Sequence, residues 1–135
     1  MEFFNIFKKK KPLKKEPVVD QKPILKIYCD AGECLWFYDK NGNLDHMPDE
    51  WEEDETFMDL YNRMCLFYMT LFDFEKLPYY QGFRDDKHKE ETKKLFEDFT
   101  ECVNRLNNGR YEIENYLDVE EFVEMSERLK KDNIS

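Results

Sequence analysis

The chain has 135 residues, 41% of them hydrophobic and 39% charged, with 31 Asp+Glu against 21 Lys+Arg and a formal net charge of −10. That length holds one domain with a core of its own, and 12 Phe, 8 Tyr and 2 Trp exclude a disordered acidic chain. The charge is divided: residues 1–23 carry seven lysines against three acids, whereas residues 24–135 carry 14 Lys+Arg against 28 Asp+Glu. A cationic arm therefore precedes an acidic body, whose summed field repels nucleic acid and attracts basic surfaces.

Residues 1–23 read as an arm. Pro12, Pro17 and Pro23 break any helix, and Lys8, Lys9, Lys10 and Lys11 repel one another. Phe3, Phe4 and Phe7 with those four lysines have the composition of a segment that lies on an anionic membrane surface. The apolar run at residues 3–7 is too short for a signal peptide, and its lysines follow rather than precede it. No stretch reaches the roughly 20 apolar residues that span a bilayer. The plainer reading of the arm is a solvated terminus; the alternative is a peripheral membrane adaptor docking through this Phe/Lys segment on the inner face of the membrane, and the expected location is cytoplasmic.

The body, residues 24–135, opens with strands. Ile24–Cys29 is β-rich and stops at Asp30-Ala31-Gly32-Glu33; Leu35–Tyr38 stops at Asp39-Lys40-Asn41-Gly42; Asn43–Met47 returns as a third strand. A three-stranded meander follows, with its second strand central. Asp39–Asp45 has the look of a calcium loop, but alignment on Gly42 places Phe37 and Pro48 at ligand positions, so a hairpin turn is the better reading.

The acidic run Asp49–Glu55 leads into a helix whose apolar positions (Phe57, Leu60, Tyr61, Met64, Phe67, Tyr68, Leu71, Phe72, Phe74) recur over about five turns and end before Pro78. Tyr79–Phe83 is expected as a short fourth strand. Asp85 or Asp86 caps the next helix, which buries Leu95, Phe96, Phe99, Cys102, Val103 and Leu106 and stops at Asn107-Asn108-Gly109. Arg110–Ile113 is a candidate fifth strand. Asp118 opens a last helix with Val119, Phe122, Met125 and Leu129 inward. The order predicts an α+β domain: an antiparallel sheet, the meander plus one or two later strands, with about three helices packed on one face.

Chemistry is sparse. The two histidines, His46 and His88, lie beside acids and read as exposed; neither Ser126 nor Ser135 sits in a nucleophile motif; no glycine-rich phosphate loop exists. No enzyme, cofactor or metal site is expected. Cys29 and Cys34 flank a turn and would bridge if their strands paired, but without a secretion signal free thiols are expected. An aromatic–basic nucleic-acid surface is disfavoured, since Trp36-Phe37-Tyr38 has only Lys40 nearby.

The sharper expectation is a docking face for a basic protein. Fifteen of the 28 body acids fall within residues 45–59 and 85–101. Trp51 amid carboxylates has the composition of an interface anchor, with a plain core position as the equal alternative. Candidate contact residues are Trp51, Glu52, Glu53, Asp54, Glu55, Asp85 and Asp86.

Leu35–Leu44, the following Pro48-Asp49-Glu50-Trp51, the Tyr79–Phe83 segment and the Asn108–Ile113 return together resemble small acidic bacterial proteins that serve as immunity partners of secreted polymorphic toxins. The resemblance implies a cytosolic inhibitor that binds a cognate toxin domain; the acidic surface points to a basic toxin, a nuclease above all, and to a non-catalytic role.

Overall fold

A computed structural model describes residues 21–134; the reading of Phe3, Phe4, Phe7 and Lys8–Lys11 as a membrane contact lies outside them. The order of elements is β1 (Ile24–Asp30), β2 (Glu33–Tyr38), β3 (Leu44–Asp45), α1 (Asp49–Glu52), α2 (Glu55–Phe67) running into a 3₁₀ turn (Tyr68–Leu71), α3 (Asp86–Asn107), β4 (Glu112–Asn115) and α4 (Val119–Ile134). The result is an α+β fold with a four-stranded mixed sheet and four helices.

The meander forms as expected, and β2 lies inside the sheet, whose order is β3-β2-β1-β4. The antiparallel expectation fails at one edge. There β4 pairs parallel to β1, Ile24 opposite Glu112 through Ile27 opposite Asn115. The 22 residues of α3 are the reason. A long helix between two strands returns the chain to the end where the first strand began, which is what a parallel pair requires. The strand also starts later than the Arg110–Ile113 run. Asn107 clamps the backbone of Tyr111 from both sides, accepting its N–H at 2.7 Å and donating to its carbonyl at 3.0 Å, so buried Tyr111 belongs to the turn.

Leu25, Ile27, Leu35 and Phe37 are buried beneath the helices. Between Ile27 and Asp30 the β1–β2 register shifts. A bulge of this kind breaks strict alternation, and Cys34 and Leu35 are both buried in consecutive positions. All four cysteines are free, and Cys34 faces Cys65 of α2, their sulfurs 3.8 Å apart.

The long helix ends earlier than its apolar pattern implies. Its α-helical part stops at Phe67, and Phe74 is exposed. The Tyr79–Phe83 strand does not form; a single bridge joins Phe72 to Tyr80, and Gly82, at φ +73°, presses against Ser126 of α4. α4 lies slightly rotated from expectation. Val123 and Ser126 are buried and Met125 is exposed, while Phe122 packs edge-on against Phe67 at 5.2 Å. In α3 the caps are those foreseen: Asp85 accepts the His88 N–H at 2.7 Å, and Asn108 and Gly109 both take positive φ at the C-terminus.

Candidate partner-binding surface

The acidic run folds as one helical turn, a break and a restart. Trp51 is its only apolar member and is 1% exposed. Its indole meets Phe37, Phe57 and Tyr111 edge to face, with ring centroids at 5.4, 5.5 and 6.1 Å. The expectation of Trp51 as an interface anchor is therefore corrected. The indole is buried because α1 is amphipathic over a single turn, and only a large ring on its inner side can hold so polar a segment to the sheet. Asp49, Glu50, Glu52 and Glu53 remain outside, in water.

Asp54 serves the backbone. It is the N-cap of α2, its Oδ1 accepting the Phe57 N–H at 2.9 Å. That bond, and then the Arg105 guanidinium at 3.5 Å, hold its carboxyl below the usual carboxylate range. Asp85 has the corresponding task at α3, and exposed Asp86 stands 3.7 Å from the Lys89 ammonium.

The seven candidate residues do not come together. α2 and α3 run antiparallel: Arg105, near the end of α3, reaches Asp54 at the start of α2, and His88, near the start of α3, reaches Thr70 beyond the end of α2. Asp85 and Asp86 thus lie a helix length, about 30 Å, from Glu52–Glu55. What the antiparallel pair does bring together is Glu55 and Asp59 of α2 with Asp98 and Glu101 of α3, on the walls of a furrow of about 690 Å³ that also holds Arg63 and Arg105. Through Arg63 and Asp98 it continues into a second hollow of about 530 Å³ near His88. Asp59, Asp98 and Glu101 belong to the fifteen clustered acids but not to the seven candidate contact residues. The signal was present, since Glu55 and Asp59 are spaced i,i+4 and Asp98 and Glu101 i,i+3, so each pair shares one helix face.

Four carboxylates near this surface already have cations: Asp59 with Arg63 at 3.2 Å, Asp98 with Lys94 at 3.0 Å, Asp54 with Arg105 at 3.5 Å and Glu50 with Arg110 at 3.8 Å. Such exposed pairs contribute little stability and exchange partners readily. Among the described residues no ion pair engages Glu52, Glu53, Glu55, Glu97 or Glu101. Of these, Glu55 and Glu101 line the furrow, and Glu52 and Glu53 lie at the α1–α2 junction.

His88 is buried, against expectation. Its Nδ1 accepts the Arg84 N–H at 3.0 Å, which assigns the proton to Nε2, 3.1 Å from the Thr70 hydroxyl. Thr70 in turn donates to the Phe67 carbonyl. Burial, then the Arg84 charge, lower the imidazole pKa below its ordinary value. Both ring nitrogens are occupied: Nε2 ties α3 to the 3₁₀ turn, and Nδ1 holds the backbone of the segment that leads into α3. On the open face of the sheet, the cation beside the aromatic strand is Lys26 rather than Lys40, its Nζ 5.2 Å from the Tyr38 ring centre, while Tyr28 and Trp36 stack at 5.3 Å.

Among the described residues no group of His, Cys, Asp and Glu is arranged to hold a metal ion, and no helix is long and apolar enough to cross a membrane. In comparison with known proteins, no family model, no curated protein and no solved structure matches this chain.

Proposed function

We propose that the protein is a non-catalytic binding module that neutralises a basic protein partner, in the manner of an immunity protein acting on a nuclease-type toxin domain. The observation that carries this reading is the furrow between α2 and α3, where acids from two segments some 40 residues apart, Glu55 and Asp59 with Asp98 and Glu101, line opposite walls. Carboxylates so arranged offer a basic domain what a phosphate backbone would offer it, namely spaced negative charge along a track. Long-range attraction speeds encounter, and exposed Glu55 in the furrow, with exposed Glu52 and Glu53 preceding it in the chain, supply charge that no ion pair among the described residues engages. Trp51 takes no direct part; it holds α1 down so that its flanking acids project.

The test starts from the gene immediately upstream, which the reading expects to encode a large protein with a variable C-terminal toxin domain, and co-expresses that domain with this chain. The reading expects a stable complex at low salt, weakened as salt rises, and loss of that domain's nuclease activity in the complex. Failure of the two chains to associate at low salt would overturn it.

A further inference from the structure

Three of the four cysteines meet in one corner of the fold. Cys29 of β1 has its Sγ 4.0 Å from the Met64 carbonyl, and the next residue, Cys65 of α2, has its Sγ 3.8 Å from that of Cys34 on β2. We propose that Cys65 and Cys34 form a peroxide-responsive dithiol, Cys65 being the residue first oxidised and Cys34 the one that resolves it into a disulfide joining α2 to β2. The inference is independent of whether the furrow binds a partner.

The two thiols are unlike in the way such a pair requires. Cys34 is fully buried, while Cys65 is half-buried on the outer side of the contact, where a small oxidant can reach it. The two sulfurs are at van der Waals separation, and a disulfide bond of about 2.05 Å requires them to close by less than 2 Å. The groups facing Cys65 favour its thiolate on balance. Hydrogen bonding from the Cys34 thiol, then from the Tyr61 hydroxyl, brings its pKa down to about 7, against desolvation and the Glu33 carboxylate. Cys34 is pushed up by the same hydrogen bond and by burial, and Cys29 is raised to about 11 by burial. The thiolate is the attacking form, so Cys65 is the nucleophile of the cluster.

The chemistry balances with one hydroperoxide. The Cys65 thiolate attacks a peroxide oxygen, the O–O bond breaks, and the departing hydroxide takes a proton to become water. Sulfur, oxidised by two electrons, is left as a sulfenic acid. Oxidation of Cys65 removes the hydrogen bond that held the proton on Cys34; the Cys34 thiol gives that proton up as its sulfur attacks the Cys65 sulfur, and the displaced hydroxide takes it to leave as water. Two thiols and one hydrogen peroxide become one disulfide and two waters. The bond would close a loop from 34 to 65 that contains β3, α1 and the whole acidic run.

The experiment treats the purified full-length chain with a small excess of hydrogen peroxide, followed by intact mass and peptide mapping. The expected result is loss of about 2 Da, a Cys34–Cys65 linked peptide, and reversal by dithiothreitol. Cys65→Ser should abolish the change, and Cys34→Ser should leave a dimedone-reactive sulfenic acid on Cys65. Should either variant fail to fold, alkylation of the wild-type chain still decides. Cys65 is expected to react with iodoacetamide at pH 7 about tenfold faster than Cys102, whose sulfur lies buried beside the Arg105 guanidinium at 3.2 Å. A linked peptide containing Cys29 or Cys102 in place of Cys34, or four thiols still titrating after peroxide, would overturn the proposal.

Discussion

Trp51 and Phe37 meet edge to face, ring centroids 5.4 Å apart and planes at 80°, so the most acidic stretch of the chain is fastened to the sheet by its single indole. Anchor and charge are thereby separated within one turn. The carboxylates on either side are solvated, and their removal disturbs no packing. Trp51→Ala is expected to destabilise the fold by about 3–5 kcal/mol, while Glu52→Gln and Glu53→Gln change it by less than about 0.5 kcal/mol. Urea denaturation of the three variants checks this. Equal, small effects at all three positions would place the indole in water.

Gly82 and Gly42 both have positive φ, +73° and +86°, but their surroundings differ. A Cβ at Gly42 meets nothing within 4 Å, whereas at Gly82 it would lie 2.5 Å from Ser126 Oγ and 2.9 Å from its Cβ. Gly42→Ala should cost about 1 kcal/mol, the backbone contribution alone. Gly82→Ala should cost at least twice that, since α4 must move and the Ser126 hydroxyl would lose the buried Phe83 N–H that it accepts at 3.1 Å. Thermal melts of the two variants side by side measure the difference.

Ala31 is the weak point of the β1–β2 hairpin. It sits at φ 52°, followed by Gly32 at φ 78°, with Asp30 and Glu33 paired across the turn. An alanine in the left-handed region is strained, and Asn-Gly is the favoured pair for such a two-residue turn. Ala31→Asn should raise stability by about 0.5–1 kcal/mol, seen as a higher denaturation midpoint with unchanged m-value.

His88 gives stability a pH dependence whose sign is fixed by its bonding. Its pKa is lowered in the folded chain from an ordinary 6.5, so the unfolded chain binds the proton more readily. The neutral ring therefore contributes its full stability above pH 6.5, and that contribution is lost as pH falls from 6.5 through the lower folded value. Arg84 opposes protonation, while Asp85 and Glu91 favour it. Denaturation midpoints from pH 7.5 to pH 5 should fall more steeply for the wild type than for His88→Gln. Parallel curves would contradict the assigned role.

The legibility of this fold from sequence follows the range of the forces involved. α3 was readable at both ends, because Asp85 and Asn108-Gly109 are local signals and its apolar residues occupy one face. The meander was readable from turns at residues 30–33 and 39–43. The parallel β1–β4 edge was not, since nothing in Glu112–Asn115 encodes which strand it joins. Tyr79–Phe83 has strand-like residues but contains Gly82, which is committed to α4 through Ser126. His88 lies among charges in the chain, and only the 3₁₀ turn, brought over it by tertiary packing, buries it. The furrow was legible in part: its acids were visible, but the antiparallel pairing that selects Asp98 and Glu101, and leaves Asp85 and Asp86 at the far end, is a tertiary fact.

The most direct test of the acidic docking face is the affinity of the basic toxin domain that the proposal expects the neighbouring gene to encode, measured for the wild-type chain and for a fourfold variant, Glu52→Lys, Glu53→Lys, Glu55→Lys and Glu101→Lys. Titration calorimetry at about 50 mM and 500 mM salt would measure it. The expected result is binding that weakens steeply with salt in the wild type and falls at least a hundredfold in the variant, whose circular dichroism and melting curve stay close to native. Undiminished affinity in a folded variant would contradict the claim that these carboxylates form the docking face.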